Sequence, residues 1–552
     1  MDKRPNILWI SFEDTNPFYG CYGDPVARTP NLDKFASEGC LYTHCFSTSG
    51  VCAPARSAII TGMYSISVGT HHMRTTHTLK GHFKNLIKPL KPEEGILNMV
   101  YDDFTPYSSV LPPYVKCFTE YLRAEGYYCT NNFKTDYQFE VPFTAWDECS
   151  PNAHWRNRPD KNQPFFAVFN LIKTHESGMW KENCPEIKFD PDKIKVPPIY
   201  PDTPKIREAL ARMYTNIEYN DRIFGEILKQ LEEDGLSDNT VVFHWSDHGP
   251  LPRGKRWPYD LGIHVPLIIR WPGHIKPGTK SDRLISTIDL GPTVLSIAGI
   301  PIPSHMQGIP FLGKYAKGPR RYIYASRDRH DESYDMVRAV RNKRFKYIRN
   351  YYPELPYTIW TPYMHKHPIM EEIWRCYLEG KLSKEQLLMF EKRPVEELYD
   401  TVNDPYETKN LAENPEYKNV LKRMRKVLDN WLKEVGDMGK FSEEQMVRSW
   451  YPEGRQPETA KPFIIPIFKG NWGMNPIISE GTYKLKYPVL IQLYCLTQGA
   501  SIGYTFQENE NPHWLLYTKP FNLNRGKTVL RVKATRIGYK ESKELKVVLI
   551  VE

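Results

Sequence analysis

Pro5-Asn6-Ile7-Leu8-Trp9-Ile10-Ser11-Phe12-Glu13-Asp14 is a short apolar run that stops abruptly at two carboxylates. Such a run reads as a strand buried on both faces that delivers ionisable groups at its C-terminal end. The same grammar returns at Thr240-Val241-Val242-Phe243-His244-Trp245, followed by Ser246-Asp247-His248-Gly249. It returns again at Pro164-Phe165-Phe166-Ala167-Val168-Phe169-Asn170, followed by Thr174-His175-Glu176. Between these runs lie helical patterns, Asn31 to Gly39 and Ile206 to Glu233, the second closed by Gly235. Strands alternating with helices predict an α/β fold with a large, mostly parallel sheet sandwiched by helices. Ligands in such sheets gather outside the carboxyl ends of the strands, where these polar residues fall.

Further along, the text changes. From about Tyr322 to Asp404 it shows β-like alternation (Met336 to Arg341), a Pro/Tyr/Trp-rich insertion (Pro353 to Met370) and Glu397-Leu398-Tyr399-Asp400, then a Lys/Leu-rich helix from Pro415 to Glu434. This predicts a smaller α+β subdomain. Beyond a Pro-rich linker, short strands with Gly and Asn turns (Val489 to Leu493, Ile502 to Thr505, Thr528 to Val532) predict an appended all-β sandwich. The expected division is 1–345, 346–455 and 460–552.

At 552 residues the chain exceeds one core, and 40% hydrophobic with 25% charged residues is globular composition. A net charge of +9 favours the approach of anionic substrates. No Lys/Arg tract or zinc-finger spacing points to nucleic acid. Ten Cys without a Cys-x-x-Cys pair argue against a disulfide framework or a structural zinc module. No apolar run approaches the length of a membrane span, and no signal peptide is visible ahead of the first strand. The absence of any Asn-x-Ser/Thr acceptor favours a bacterial exported enzyme, in the periplasm or at the cell surface, over a glycosylated lysosomal one.

Chemistry concentrates in Cys52-Ala53-Pro54-Ala55-Arg56, followed by Thr61-Gly62, and in Glu13-Asp14 and Asp247-His248 at two strand ends. Three carboxylates and one imidazole make a mainly oxygen cage suited to Ca²⁺, with Mg²⁺ as the alternative. Together with Thr29-Pro30-Asn31-Leu32-Asp33, Gly254-Lys255, Val265 to Gly273, Asp289-Leu290 and Leu398-Tyr399-Asp400, these residues resemble a type I, formylglycine-dependent sulfatase of the alkaline phosphatase superfamily. The resemblance spans residues 1 to about 440.

It implies that a formylglycine-generating maturation enzyme oxidises Cys52 to an aldehyde. The aldehyde's hydrate attacks sulfur with one hydroxyl, and the other expels sulfate. The resemblance further implies that Glu13, Asp14, Cys52, Asp247 and His248 hold the metal. In it Arg56 fixes the nucleophile, Lys255 grips sulfate, Lys134 is a catalytic residue at the family's Gly-Lys-Trp-His position, and His175 protonates the leaving alcohol. The family more often shows Asp-Asp and Asp-Asn where this chain has Glu13-Asp14 and Asp247-His248, and a His where it has Asp136. His71, His72, Arg74, Arg327 and Arg329 are the expected substrate-binding residues.

The expected activity is hydrolysis of sulfate esters on glycosaminoglycan or mucin-type saccharide fragments, from a chain end. The sandwich resembles the C-terminal modules of chitobiase-type glycan-processing enzymes. The competing readings are a phosphonate or phosphodiester hydrolase on the same scaffold, and a non-catalytic protein that binds sulfated glycans.

Overall fold

The computed structural model describes residues 4–75 and 106–552. The first strand, β1 (Asn6–Phe12), is buried along its whole length. Side chains alternate across a strand, so Ile7 and Trp9 enter one core while Leu8, Ile10 and Phe12 enter another on the opposite face.

Helix α1 (Pro30–Glu38) and β2 (Cys40–Phe46) follow, then α2 (Cys52–Thr61). The sheet is completed by β3 (Tyr128–Asn132), β4 (Glu148–Cys149), β5 (Phe165–Leu171), β6 (Thr240–Ser246), β7 (His264–Arg270) and β8 (Thr279–Ser286). Its eight strands run in the order β4-β3-β5-β1-β6-β7-β2-β8. All neighbours are parallel except β7, which runs antiparallel to both β6 and β2.

The long helix α3 (Pro204–Glu233) opens on a Thr203 side chain that accepts from the Ile206 N–H, with Pro204 in its first turn. Its Ile206, Leu210, Ile217 and Phe224 pack with Leu32 and Phe35 of α1 on one face of the sheet. Ile59 and Ile60 of α2, with Phe118 and Leu290, cover the other. These layers are the α/β sandwich expected from the sequence.

A second, antiparallel sheet contains β9 (Ile323–Arg327), β10 (Val337–Arg341), β11 (Phe345–Asn350) and β12 (Glu396–Asp400). Helix α4 (Lys418–Val435) lays Leu428, Trp431 and Leu432 against its Val340, Tyr347 and Leu398. The expected boundary at 345/346 falls inside this sheet, at the start of β11, which exchanges a full ladder of pairs with β10. The change in sequence texture near Tyr322 marks the start of the sheet better.

The C-terminal strands are β13 (Phe463–Phe468), β14 (Asn471–Trp472), β15 (Gly481–Leu485), β16 (Val489–Tyr494), β17 (Ser501–Thr505), β18 (Leu515–Leu516), β19 (Phe521–Leu523), β20 (Gly526–Thr535) and β21 (Leu545–Val551). They form two sheets, β14-β13-β16-β19 and β15-β21-β20-β17-β18. The sheets enclose a core of Ile464, Ile491, Leu493, Leu530, Val532, Leu545 and Leu549. All ten cysteines are free. Among the described residues no helix is long and apolar enough to cross a membrane.

Candidate active site

Parallel pairing sets Phe12 of β1 opposite Ser246 of β6, so the two strands release their polar ends side by side. Asp14 leaves its strand in the left-handed region, φ 45°. Its N–H donates to Asp247 Oδ1 at 3.1 Å, and the Thr15 N–H donates to Ser246 Oγ at 2.9 Å. Glu13, Asp14, Asp247 and His248 are all buried.

The first residue of α2 points into this crossing. Cys52 Sγ lies 3.1 Å from His248 Nε2 and 3.9 Å from Asp14 Oδ1. His248 Nε2 is 3.3 Å from Asp14 Oδ1 and 3.8 Å from Asp247 Oδ2, and its Nδ1 is 3.0 Å from the Gly249 carbonyl oxygen. One donor atom each from Asp14, Cys52, Asp247 and His248 lie within 4.8 Å of one another.

One turn along α2, Arg56 spreads its guanidinium over three partners. Nε donates to Asp247 Oδ2 at 3.0 Å, Nη2 to Glu13 Oε2 at 2.7 Å and Nη1 to Asn170 Oδ1 at 3.0 Å. Lys134 takes the other Glu13 oxygen and lies 3.9 Å from Asp136 Oδ2. Glu13 therefore stands outside the four-residue cluster, its carboxylate shared between two cations, which differs from the five-residue metal set expected from the sequence. Lys255 Nζ donates to Asp14 Oδ2 at 2.5 Å, sits 3.0 Å from Glu176 Oε1, and is 3.4 Å from His175 Nε2.

These charges set the protonation states. Burial pushes the Glu13 and Asp14 carboxyls up, but Arg56 and Lys134 for the first, and Lys255 and His175 for the second, bring both below their ordinary values. Burial pushes the Cys52 thiol far up although Lys134 and Lys255 oppose it. As a thiol it is protonated at neutral pH and a poor nucleophile. Burial and then Lys255 lower His175 to about 4, so its imidazole is neutral at pH 7.

The remaining sequence candidates divide. Arg74 is paired with Asp331, its guanidinium 5.4 Å from the Tyr363 ring, and its charge is felt by both Asp136 and Cys52. His71 and His72 are buried with ring centroids 4.3 Å apart, and His72 Nδ1 accepts from the Arg329 N–H at 3.2 Å.

Arg327 and Arg329, expected to bind substrate, are instead buried and paired within the protein. Arg327 stacks 3.7 Å from the Trp257 ring centroid and pairs with Asp335 at 2.8 Å. Arg329 is 2% exposed and bridges Glu443 through Nε at 2.7 Å and Nη2 at 2.8 Å. In this dense charged run Arg329 and Asp331 find partners in distant segments, Glu443 and Arg74, while Arg327 and Asp328 pair nearby with Asp335 and Arg338.

Four neighbours of the cluster were not among the expected site residues. Asn170 ties Arg56 to Asn131. Glu176 holds Arg256 bidentately at 3.0 and 2.7 Å. Tyr363, from the Pro/Tyr/Trp-rich insertion, puts its ring centroid 6.3 Å from that of His175. Asn170 and Glu176 lay inside the quoted strand-end run and carried that signal; Tyr363 and Arg256 carried none.

Residues 5–300 match the sulfatase family model, and residues 248–373 match that of the N-sulphoglucosamine sulphohydrolase C-terminal region. The chain is 41% identical over 588 residues to an ulvan-active sulfatase of Formosa agariphila, covering 99% of this chain and 92% of that one. It is 26% identical over 466 residues to human N-sulphoglucosamine sulphohydrolase, covering 79% and 91%.

Among solved structures, a protein in complex with its substrate D-glucosamine-2-N,6-O-disulfate has TM-score 0.54 at 19% identity, covering 78% of this chain and 98% of that one. A 2-O glycosaminoglycan sulfatase has TM-score 0.54 at 20% identity, covering 79% and 93%. A phosphonate monoester hydrolase from Silicibacter pomeroyi has TM-score 0.53 at 17% identity, covering 79% and 96%. At such identities the likeness speaks for the fold.

Fold and site together define a layered α/β protein whose strand ends gather buried acids and cations. The chain belongs to the sulfatase family, sulfuric ester hydrolases of the alkaline phosphatase superfamily.

Proposed function

We propose that this enzyme removes sulfate from a sulfated polysaccharide of the ulvan kind, or from its oligosaccharide fragments, acting from a chain end after Cys52 has been converted to formylglycine. The observation that carries the reading is the convergence of Cys52, Asp14, Asp247 and His248 within 4.8 Å, ringed by Arg56, Lys134 and Lys255. The substrate class rests on the 41% identity to the ulvan-active sulfatase. Export to the periplasm or cell surface and a formylglycine-generating partner belong to the same reading. So does a division into a sulfatase unit of two subdomains and an appended sandwich.

The donor set fits a divalent cation. Asp14, Asp247 and His248 supply two carboxylates and an imidazole, and an oxygen at position 52 in place of sulfur makes the set one for a hard ion, Ca²⁺ or Mg²⁺. Glu13 is the remaining candidate ligand. Such a cation polarises sulfate oxygens and acidifies a neighbouring hydroxyl. Formylglycine supplies a hydrated aldehyde, whose oxygen is a nucleophile that the buried thiol is not.

The chain's own residues do the rest. Arg56, held by three acceptors, fixes the start of α2 and the geometry of Glu13 and Asp247. Glu13 and Asp14, now paired with Lys134 and Lys255, would hold the cation, and the two lysines would then be the groups that hold sulfate oxygens. His175, oriented through Nδ1 by Ser177 Oγ at 2.9 Å, keeps Nε2 facing the site and gives a proton to the leaving alcohol oxygen. Neutral in the free protein, it gains its proton beside the negative sulfate ester, which favours the imidazolium. Arg74 and Tyr363 stand where the sugar ring meets the protein.

The test couples two measurements on protein co-expressed with a formylglycine-generating enzyme. The first is the mass of the peptide carrying Cys52. The second is anion release from ulvan fragments, glycosaminoglycan fragments and a phosphonate monoester. Aldehyde with sulfate released from ulvan fragments supports the reading. Phosphonate turnover without sulfate release, or an unmodified thiol beside a converted control sulfatase, overturns it.

A further inference from the structure

The sandwich resembles the C-terminal modules of chitobiase-type glycan-processing enzymes, and its face toward the catalytic unit is built as a close joint. Ideal Cβ atoms placed on Gly499 and Gly538 would fall 2.1 Å from the Pro113 carbonyl oxygen and 2.4 Å from that of Ser109, and both glycines have positive φ, 76° and 89°. Only glycine meets both demands. Ile537, beside the second of them, is 5% exposed and belongs to the main α/β core with Leu111, Val115 and Phe139.

Polar contacts lock the same seam. Lys116 Nζ donates to the Gly499 carbonyl at 2.5 Å and to Ser501 Oγ at 2.8 Å. His513 Nε2 lies 2.8 Å from Asp147 Oδ1. That carboxylate also takes Arg123 Nη2 at 2.8 Å and, through Oδ2, the Cys129 N–H at 2.7 Å. Arg123 Nη2 reaches back to the Trp514 carbonyl oxygen at 2.6 Å.

Among the described residues, each catalytic-side partner named in this joint lies between residues 109 and 147, the stretch that carries Lys134. The route onward is short. The Ser109 N–H donates to the Gln138 carbonyl at 3.0 Å, and Asp147 holds β3, whose Asn131 donates to the Lys134 carbonyl at 3.1 Å. Asp136 and Gln138 flank the loop in the left-handed region, φ 57° and 63°. Such backbone persists only where its surroundings over-determine it.

We propose that the C-terminal sandwich is a positioning element of the active site, bracing the 109–147 segment so that Lys134 stands against Glu13. The kinetic side of this rests on Lys134 as a sulfate-binding residue.

The test uses the full-length, aldehyde-bearing enzyme with His513→Ala and Gly538→Ala, His513→Gln as the conservative rescue, and Trp472→Ala, 73% exposed on the sandwich, as control. Amide exchange over residues 129–138 is read beside kcat and KM on a small aryl sulfate and on ulvan fragments. Faster exchange with kcat/KM lowered about 10-fold or more by the same factor on both substrates, mainly in kcat, partial recovery in His513→Gln and no change in Trp472→Ala are expected. Unchanged exchange overturns the brace; so does a loss confined to the polymer, which would assign the sandwich to holding the polysaccharide. Faster exchange with unchanged kinetics leaves the brace standing and removes Lys134 from catalysis.

Discussion

Replacing Arg329 with Met tests how the charged segment 327–332 works. As a substrate ligand, Arg329 would be dispensable to folding and its loss would appear in KM. The structure gives the opposite. Its guanidinium makes two hydrogen bonds to Glu443 and two more to the carbonyls of Met73 and Asp331, at 3.1 and 2.7 Å. Methionine keeps much of the volume but leaves the Glu443 carboxylate buried, with the Tyr107 and Tyr334 hydroxyls donating to it, each at 2.6 Å.

Removing one partner of a buried pair destabilises by about 3 to 5 kcal/mol. The double variant Arg329→Met/Glu443→Gln removes the stranded charge and recovers part of that loss. Burial raises the Glu443 pKa, but His72, Arg329 and Tyr107 overcome it and hold the group far below its ordinary range. The pair's stabilisation is therefore full above the ordinary Glu pKa of about 4.3 and fades as pH falls toward the folded value. In Arg329→Met burial dominates, Glu443 takes up a proton more readily, and the gap to wild type narrows from pH 7 to pH 5. Urea denaturation followed by far-ultraviolet circular dichroism at both pH values measures the gap. Wild-type stability with a raised KM, or a gap that widens on acidification, would refute the reasoning.

Three further outcomes are expected. His175→Ala lowers kcat by about 10² to 10⁴-fold with an unchanged unfolding curve, because general acid work has that magnitude and the residue lies outside the cores; sulfate release under saturating substrate reads it. Arg56→Lys loses the fork that spans Glu13, Asp247 and Asn170, so both kcat/KM and stability fall, the latter by about 1 to 3 kcal/mol, and a variant matching wild type in both would show that one point charge suffices. Ca²⁺ at 100-fold its Kd raises unfolding stability by about 2.7 kcal/mol, and Asp247→Asn abolishes the response in a thermal-shift titration; an equal response in the variant removes Asp247 from the ion's shell.

The sequence by itself determined the layered α/β architecture, because buried parallel strands need unbroken apolar runs and the polar residues that end them mark the ligand edge. Glu13, Asp14, Asp247 and His175 were legible on that ground, and Cys52 through the fixed spacing to Arg56. Tertiary structure alone decided which charges serve the site and which serve the scaffold. Arg74 and Arg329 look alike in sequence, but one stands beside Tyr363 near the cluster and the other is sealed against Glu443. It also decided that the Glu13 carboxylate is shared between Arg56 and Lys134, and that the sandwich grips the segment bearing Lys134. These outcomes depend on pairings between residues tens to hundreds of positions apart, where burial makes each charge find a partner that no local pattern can specify.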